Sequence, residues 1–160
     1  MTPANLILAL QERIQGLLEG YFYEYEGKML PVKVFAGWAP ERARAEEDIL
    51  PCVCILPTKI EDIIDNNQEN GAVCTVRILV GTKEDLNADS WLAIVNLIEH
   101  IRQGLLKSRI LARKFALRGK IITEFDEVQA RPLYYAGLTV QYNIAQLVPE
   151  RLESPANKCQ

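Results

Sequence analysis

The chain has 160 residues, of which 49% are apolar and 24% charged, and its formal net charge is −3. That length gives one domain with enough chain to bury a core, the balance is ordinary for a globular protein, and the chain shows no internal repeat and no low-complexity block. No apolar stretch approaches the ~20 residues of a membrane-crossing helix, and Met1–Leu10 lacks the basic flank of a signal peptide, so synthesis in the cytoplasm and no membrane partner are expected.

The first element is a helix over Ala4–Leu18. Leu6, Leu10, Ile14 and Leu17 recur at helical spacing, Thr2 and Pro3 are start signals, and Gly20 is a stop. Tyr21–Tyr25 alternates as a strand, Gly27 and Lys28 break it, and Met29–Ala36 resumes a strand pattern with Pro31 marking an edge or a start. A charged loop follows over Gly37–Asp48. Leu50–Leu56 is a short continuous apolar run bounded by Pro51 and Pro57, the pattern of a strand buried on both faces or lying centrally in a sheet. Lys59–Ile64 is a weaker strand, Asp65–Gly71 a polar turn ending in Asn-Gly, and Ala72–Val80 a strand with Cys74, Val76, Ile78 and Val80 on one face, so Lys59–Val80 reads as a hairpin.

Asn87 is placed to cap a helix that runs from Ala88 to about Lys107. Its buried stripe is expected to be Trp91, Ile94, Val95, Ile98, Ile101 and Leu105, with His100 on the polar side facing water. Ile121–Phe125 reads as a short strand. Leu133–Leu147 alternates most clearly, with Tyr134, Ala136, Leu138, Val140, Tyr142 and Ile144 on one side. Together these give an α+β domain over residues 1–148: a mostly antiparallel sheet, two main helices packed on one face, and a polar or mixed opposite face. Residues 149–160, with two prolines, read as a flexible tail.

Chemistry-bearing motifs are sparse. The four cysteines are Cys52, Cys54, Cys74 and Cys159. Cys52 and Cys54 share a sheet face and read as a metal or redox pair or as small buried thiols; His100 is the only histidine, no CxxC exists, and the second reading is preferred. No phosphate-binding glycine loop and no Gly-x-Ser-x-Gly elbow is present. The acids Glu61 and Asp62 would serve acid–base work only in a pocket, and beside a polar hairpin they read as solvated. Tyr21, Tyr23, Trp38 and Tyr135 are candidate interface aromatics or core residues. Catalytic, cofactor and metal sites are therefore expected to be absent.

Charge is segregated. Seven of the 18 bases fall between His100 and Lys120 with no acid among them: Arg102, Lys107, Arg109, Arg113, Lys114, Arg118 and Lys120. The acids cluster at Glu46, Glu47 and Asp48, at Glu61, Asp62 and Asp65, and at Glu84 and Asp85. Three readings fit: a solvated connection, a head-to-tail contact between copies that closes into a ring, or a nucleic-acid-binding module using segment 102–120. The candidate subunit interface is Arg109, Arg113, Lys114 and Arg118 against Glu46, Glu47, Asp48, Glu61 and Asp62.

The order of elements resembles the tail-terminator or tail-completion proteins of long-tailed bacteriophages and prophages. The resemblance lies in the opening helix Asn5–Leu18, the strand ending Val32-Lys33-Val34-Phe35, the Pro-bounded strand Leu50–Leu56, the strand Val73–Val80, the helix Trp91–Leu106 and the closing strand Tyr134–Ile144. It spans residues 5 to 147 and is one of layout. It implies a structural virion protein: a homohexameric ring that caps the tail tube and joins it to the head–neck connector, with the tube protein and sheath as neighbours and genome DNA passing through the lumen. It implies no enzyme activity and no cofactor.

Overall fold

The computed structural model describes residues 2–39, 50–64, 71–83, 85, 89–127 and 133–147. Among the sequence expectations, Glu46, Glu47, Asp48, Asp65, Glu84, Asn87, Cys159 and the C-terminal tail lie outside the described residues.

Helix α1 (Pro3–Leu17) begins where the Thr2 hydroxyl accepts the backbone N–H of Asn5, with proline at the first helical position. Strands β1 (Phe22–Tyr25) and β2 (Lys28–Pro31) form a small antiparallel hairpin. Its turn residues Glu26 and Gly27 both have positive φ, the geometry that matches strand twist in a two-residue hairpin. The Tyr23 hydroxyl donates to the Lys83 carbonyl at 2.6 Å, and the Glu26 N–H donates to an Asp85 carboxylate oxygen at 3.0 Å, tying the hairpin to the main body.

The main sheet contains β3 (Lys33–Ala36), β4 (Cys52–Ile63), β5 (Gly71–Lys83), β6 (Ile110–Leu111), β7 (Phe115–Phe125) and β8 (Leu133–Ile144) in the order β3-β4-β5-β8-β7-β6. Only β3 and β4 are parallel; the other pairs are antiparallel. Helix α2 (Ser90–Lys107) and α1 pack on the same face, giving the expected α+β layering. Val53 and Ile55 of β4, Cys74, Val76, Ile78 and Val80 of β5, and the alternating side chains from Tyr134 to Ile144 of β8 are all buried there. No described helix is long and apolar enough to cross a membrane.

Several sequence expectations are corrected. Met29–Ala36 is two strands in two different sheets, because the chain leaves the hairpin after Pro31, which has no N–H to continue a ladder. Leu50–Leu56 and Lys59–Ile64 are one strand. It passes through Pro57 by a register shift between Pro57 and Lys59, and the Thr58 hydroxyl donates to the Thr75 carbonyl at 3.1 Å. Proline is tolerated at such a bulge, and β3 reaches only as far as Ile55, so no ladder bond is demanded of Pro57 on that side. In α2 the stripe is rotated: Trp91 is 56% exposed and Leu97 is fully buried beside Ile94, Ile98, Ile101 and Leu105. The helix starts at Ser90, whose hydroxyl accepts the Asp85 N–H and donates to the Asp85 carbonyl. The strand expected at Ile121–Phe125 begins at Phe115, and the one expected to end at Leu147 stops at Ile144.

The two helices meet at Gly104. A Cβ there would lie 2.4 Å from both methyl carbons of Leu17, so any larger residue must displace that side chain. Around it Arg13 donates to the Gly104 carbonyl at 3.4 Å, and Nε2 of His100 donates to the Leu17 carbonyl at 2.6 Å while its ring stacks on Tyr21. His100, expected simply to face water, is thus a clasp on the exposed rim of the helix pair. Gly104→Val is expected to lower the unfolding free energy by about 1–3 kcal/mol through overpacking. Adding Leu17→Ala makes room, so the double variant is expected to be more stable than the sum of the two single changes, as read from chemical denaturation.

Candidate interaction surfaces

The register places a second set of side chains on the face away from the helices. Cys52, Cys54 and Leu56 of β4, Arg77, Leu79 and Gly81 of β5, and Tyr135, Thr139 and Gln141 of β8 alternate with the core residues and line this open face. β7 adds Arg118, Ile122 and Glu124, opposite Gln141, Thr139 and Gly137. The face is apolar near the start of β4 and charged toward its end.

At the apolar end lies a cavity of about 160 Å³ lined by Trp38, Leu50, Cys52, Cys54, Leu79 and Tyr135. Both cysteines are thiols, not joined in a disulfide, and lie on this open face, not in the helix-covered core. A hydrogen bond with Cys54, then burial, pushes the Cys52 thiol far above the ordinary thiol range. A thiol held protonated is neither a nucleophile nor a ready metal ligand. Among the described residues no group of three His, Cys, Asp or Glu side chains is placed to hold a metal ion. Of the four candidate interface aromatics, Tyr23 is buried and Tyr21 half-buried, whereas Trp38 and Tyr135 are exposed at the cavity.

At the charged end, Arg77 pairs with Glu124 at 3.6 Å across β8, its guanidinium lying over Gly137 where a side chain would displace it. Lys59 pairs with Glu61 at 3.0 Å, and Arg118 donates to Asn143 at 3.1 Å. These exposed pairs are each worth little on their own. The strand registers, however, place Glu61 and Arg118 on one face at opposite edges of the sheet. Asp62 points to the other side, where Gln146 donates to it at 3.0 Å.

The basic stretch is spread over several elements. Arg102 sits on α2 and is bound by Glu99, Arg109 follows the helix, Arg113 and Lys114 occupy the β6–β7 turn, and Arg118 and Lys120 lie on β7. Ala112 and Arg113 adopt positive φ in that turn. Buried Phe115 pins its return. The strand pattern was hidden in the sequence because β7 changes register between Arg118 and Ile122, around Gly119 at φ 67°, which breaks the alternation. Arg77 and Glu124 also escaped notice as site residues, because their meeting across β8 is legible only once the strands are paired.

The sheet edges are the other notable surface. β3 covers only Cys52–Ile55 of β4, and β6 pairs only with Phe115 and Ala116 of β7. Among the described residues, no strand pairs with the outer edge of the rest of β4 or with that of β7 from Arg118 to Phe125. Both segments are largely exposed, and they carry Ile60, Ile63, Ile122 and Phe125.

A chain in the structure of the virion of a native gene transfer agent (GTA) particle is similar over 86% of this chain and 92% of its own length, at 16% identity and a TM-score of 0.50. A chain in a cryo-EM structure of an extracellular contractile injection system, described as a sheath/tube terminator in the extended state, is similar over 96% of this chain and 65% of its own, at 11% identity and a TM-score of 0.40. The second likeness is too loose to bear on the fold. The first shows that the fold of this chain is also carried by a chain of that virion. No protein-family model and no curated protein sequence matches the chain.

Proposed function

We propose that this chain is a structural virion protein, a tail terminator. Copies of it form a ring, expected to be a hexamer, that caps the tail tube and joins it to the head–neck connector. The observation that carries this reading is the fold shared with a virion chain over almost the whole of both molecules. A sheet with two unpaired edges among the described residues supports it, because such edges are templates for a neighbouring chain. So does the segregation of charge, which favours contact between unlike surfaces of identical copies. In this role the chain works in the tail after synthesis in the host cytoplasm. It touches the tube protein and, where a sheath exists, the sheath, and lets genome DNA pass without reading its sequence. It has no catalytic residue and no cofactor.

The nucleic-acid-binding reading of segment 102–120 gains nothing from the geometry, since its bases are divided between a helix, a turn and a strand. The test is genetic. Particles produced without this chain are expected to carry tails of uncontrolled length, or finished tails not joined to heads, when imaged by electron microscopy. Tails of normal length joined to heads would refute the proposal.

A further inference from the structure

Building on the ring reading, we propose that copies of this chain join edge to edge, with the exposed half of β4 in one copy adding as a strand to β7 of the next. Three independent features of the two edges fit each other.

The first is polarity. β4, β5, β8 and β7 are neighbours in that order, and each pair is antiparallel, so β4 and β7 run in opposite directions. A second copy set beside the first by rotation about an axis roughly along the strands therefore presents its β4 antiparallel to the first copy's β7. The helices of both copies stay on the same side. Antiparallel strands make the more stable ladder, and a contact between two different edges is heterologous, the kind that closes into a ring.

The second is position along the strand. β3 shields the start of β4, and β6 shields the start of β7, so the open stretches are offset from each other. Directly level, they overlap only near the two bulges. A stagger of about two residues, of the kind tilted strands need in a closed sheet, lengthens the overlap and leaves each side chain on its own face.

The third is charge and apolar surface. Glu61 faces Val73 and Arg118 faces Gln141 across their ladders, both on the open face. The same stagger brings Glu61 of one copy beside Arg118 of the next. Opposite charges directly across a strand pair favour pairing, and like charges oppose it. The ladder would also cover Ile60 and Ile122, which are 49% and 37% exposed in the single chain.

The test is charge reversal in the full chain. Glu61→Arg and Arg118→Glu are made singly and together, and assembly is followed by analytical ultracentrifugation over a concentration series, with circular dichroism to verify folding. Both side chains are exposed, so the variants are expected to fold. Each single change is expected to raise the concentration needed for assembly by roughly tenfold, and the double change to restore assembly. Where the wild type assembles only on tails, the same comparison is read as the amount of each variant in purified tails. If single variants assemble like the wild type, or the double variant is no better than the singles, this interface is wrong while the ring reading survives. A wild-type chain that stays monomeric at every concentration and is absent from tails overturns both.

Discussion

Phe115→Ala is expected to lower the unfolding free energy by about 3–5 kcal/mol, the cost of emptying a large aromatic site in a packed core. Phe115 is 1% exposed and pairs with Leu111 across the β6–β7 turn, so its ring fastens the turn bearing Arg113 and Lys114 to the helix-covered side of the sheet. Phe125, at the far end of the same strand, is 46% exposed. Phe125→Ala is therefore expected to cost less than about 1 kcal/mol in the isolated chain. Urea titration separates the two: the midpoint falls sharply for the first variant and barely for the second, with similar slopes. Since a domain of this kind holds only about 5–15 kcal/mol in total, the first change removes a large share of it. Equal effects from the two variants would mean that the burial difference along β7 is not real.

The contrast between those two phenylalanines also marks what the sequence made legible. β8 was read almost residue by residue because six apolar side chains alternate without interruption from Tyr134 to Ile144 and every one is buried. α1 was equally plain, with its proline at the start and its Leu-Ile stripe. The failures within strands share one cause. Pro57 and Gly119 look like breaks, and each sits at a register shift inside a long strand, where one extra residue scrambles the period of two. Trp91 misled in another way: a large aromatic at helical spacing reads as core, yet the two helices approach so closely at Gly104 that the buried stripe turns toward Leu97. Of the candidate interface, the sequence supplied a list of charges but not their places. That Glu61 and Arg118 share a face at opposite edges depends on four strands being in register, and no local pattern encodes that. Arg109, Arg113 and Lys114 gather instead at the β6 end of the sheet.

In strong alkali the wild-type chain is expected to lose stability that Tyr142→Phe retains. Tyr142 is fully buried, and its hydroxyl has no hydrogen-bond partner among the described residues. Burial pushes its pKa from an ordinary 10.0 up to about 12, against a smaller opposing pull from the Arg13 charge. The group is an acid whose neutral form is favoured in the folded state. Below pH 10 it is neutral whether the chain is folded or not, so it contributes no pH dependence there. Above pH 10 the unfolded chain ionises first, and folding weakens until the folded tyrosine ionises near pH 12. Each pH unit crossed costs about 1.4 kcal/mol, for a total of about 3 kcal/mol. Tyr21 and Tyr23 are also raised by burial, so the variant keeps part of the slope, and the diagnostic quantity is the difference between the two proteins. At neutral pH that difference is expected to lie within about 1 kcal/mol, because the substitution removes a hydroxyl that makes no bond among the described residues. Denaturant midpoints measured from pH 8 to pH 12 (roughly the window in which a buried tyrosine acts) decide it. Parallel curves for wild type and Tyr142→Phe would mean that water or a residue outside the described segments already serves the hydroxyl, and that this corner of the core is wetter than its packing implies.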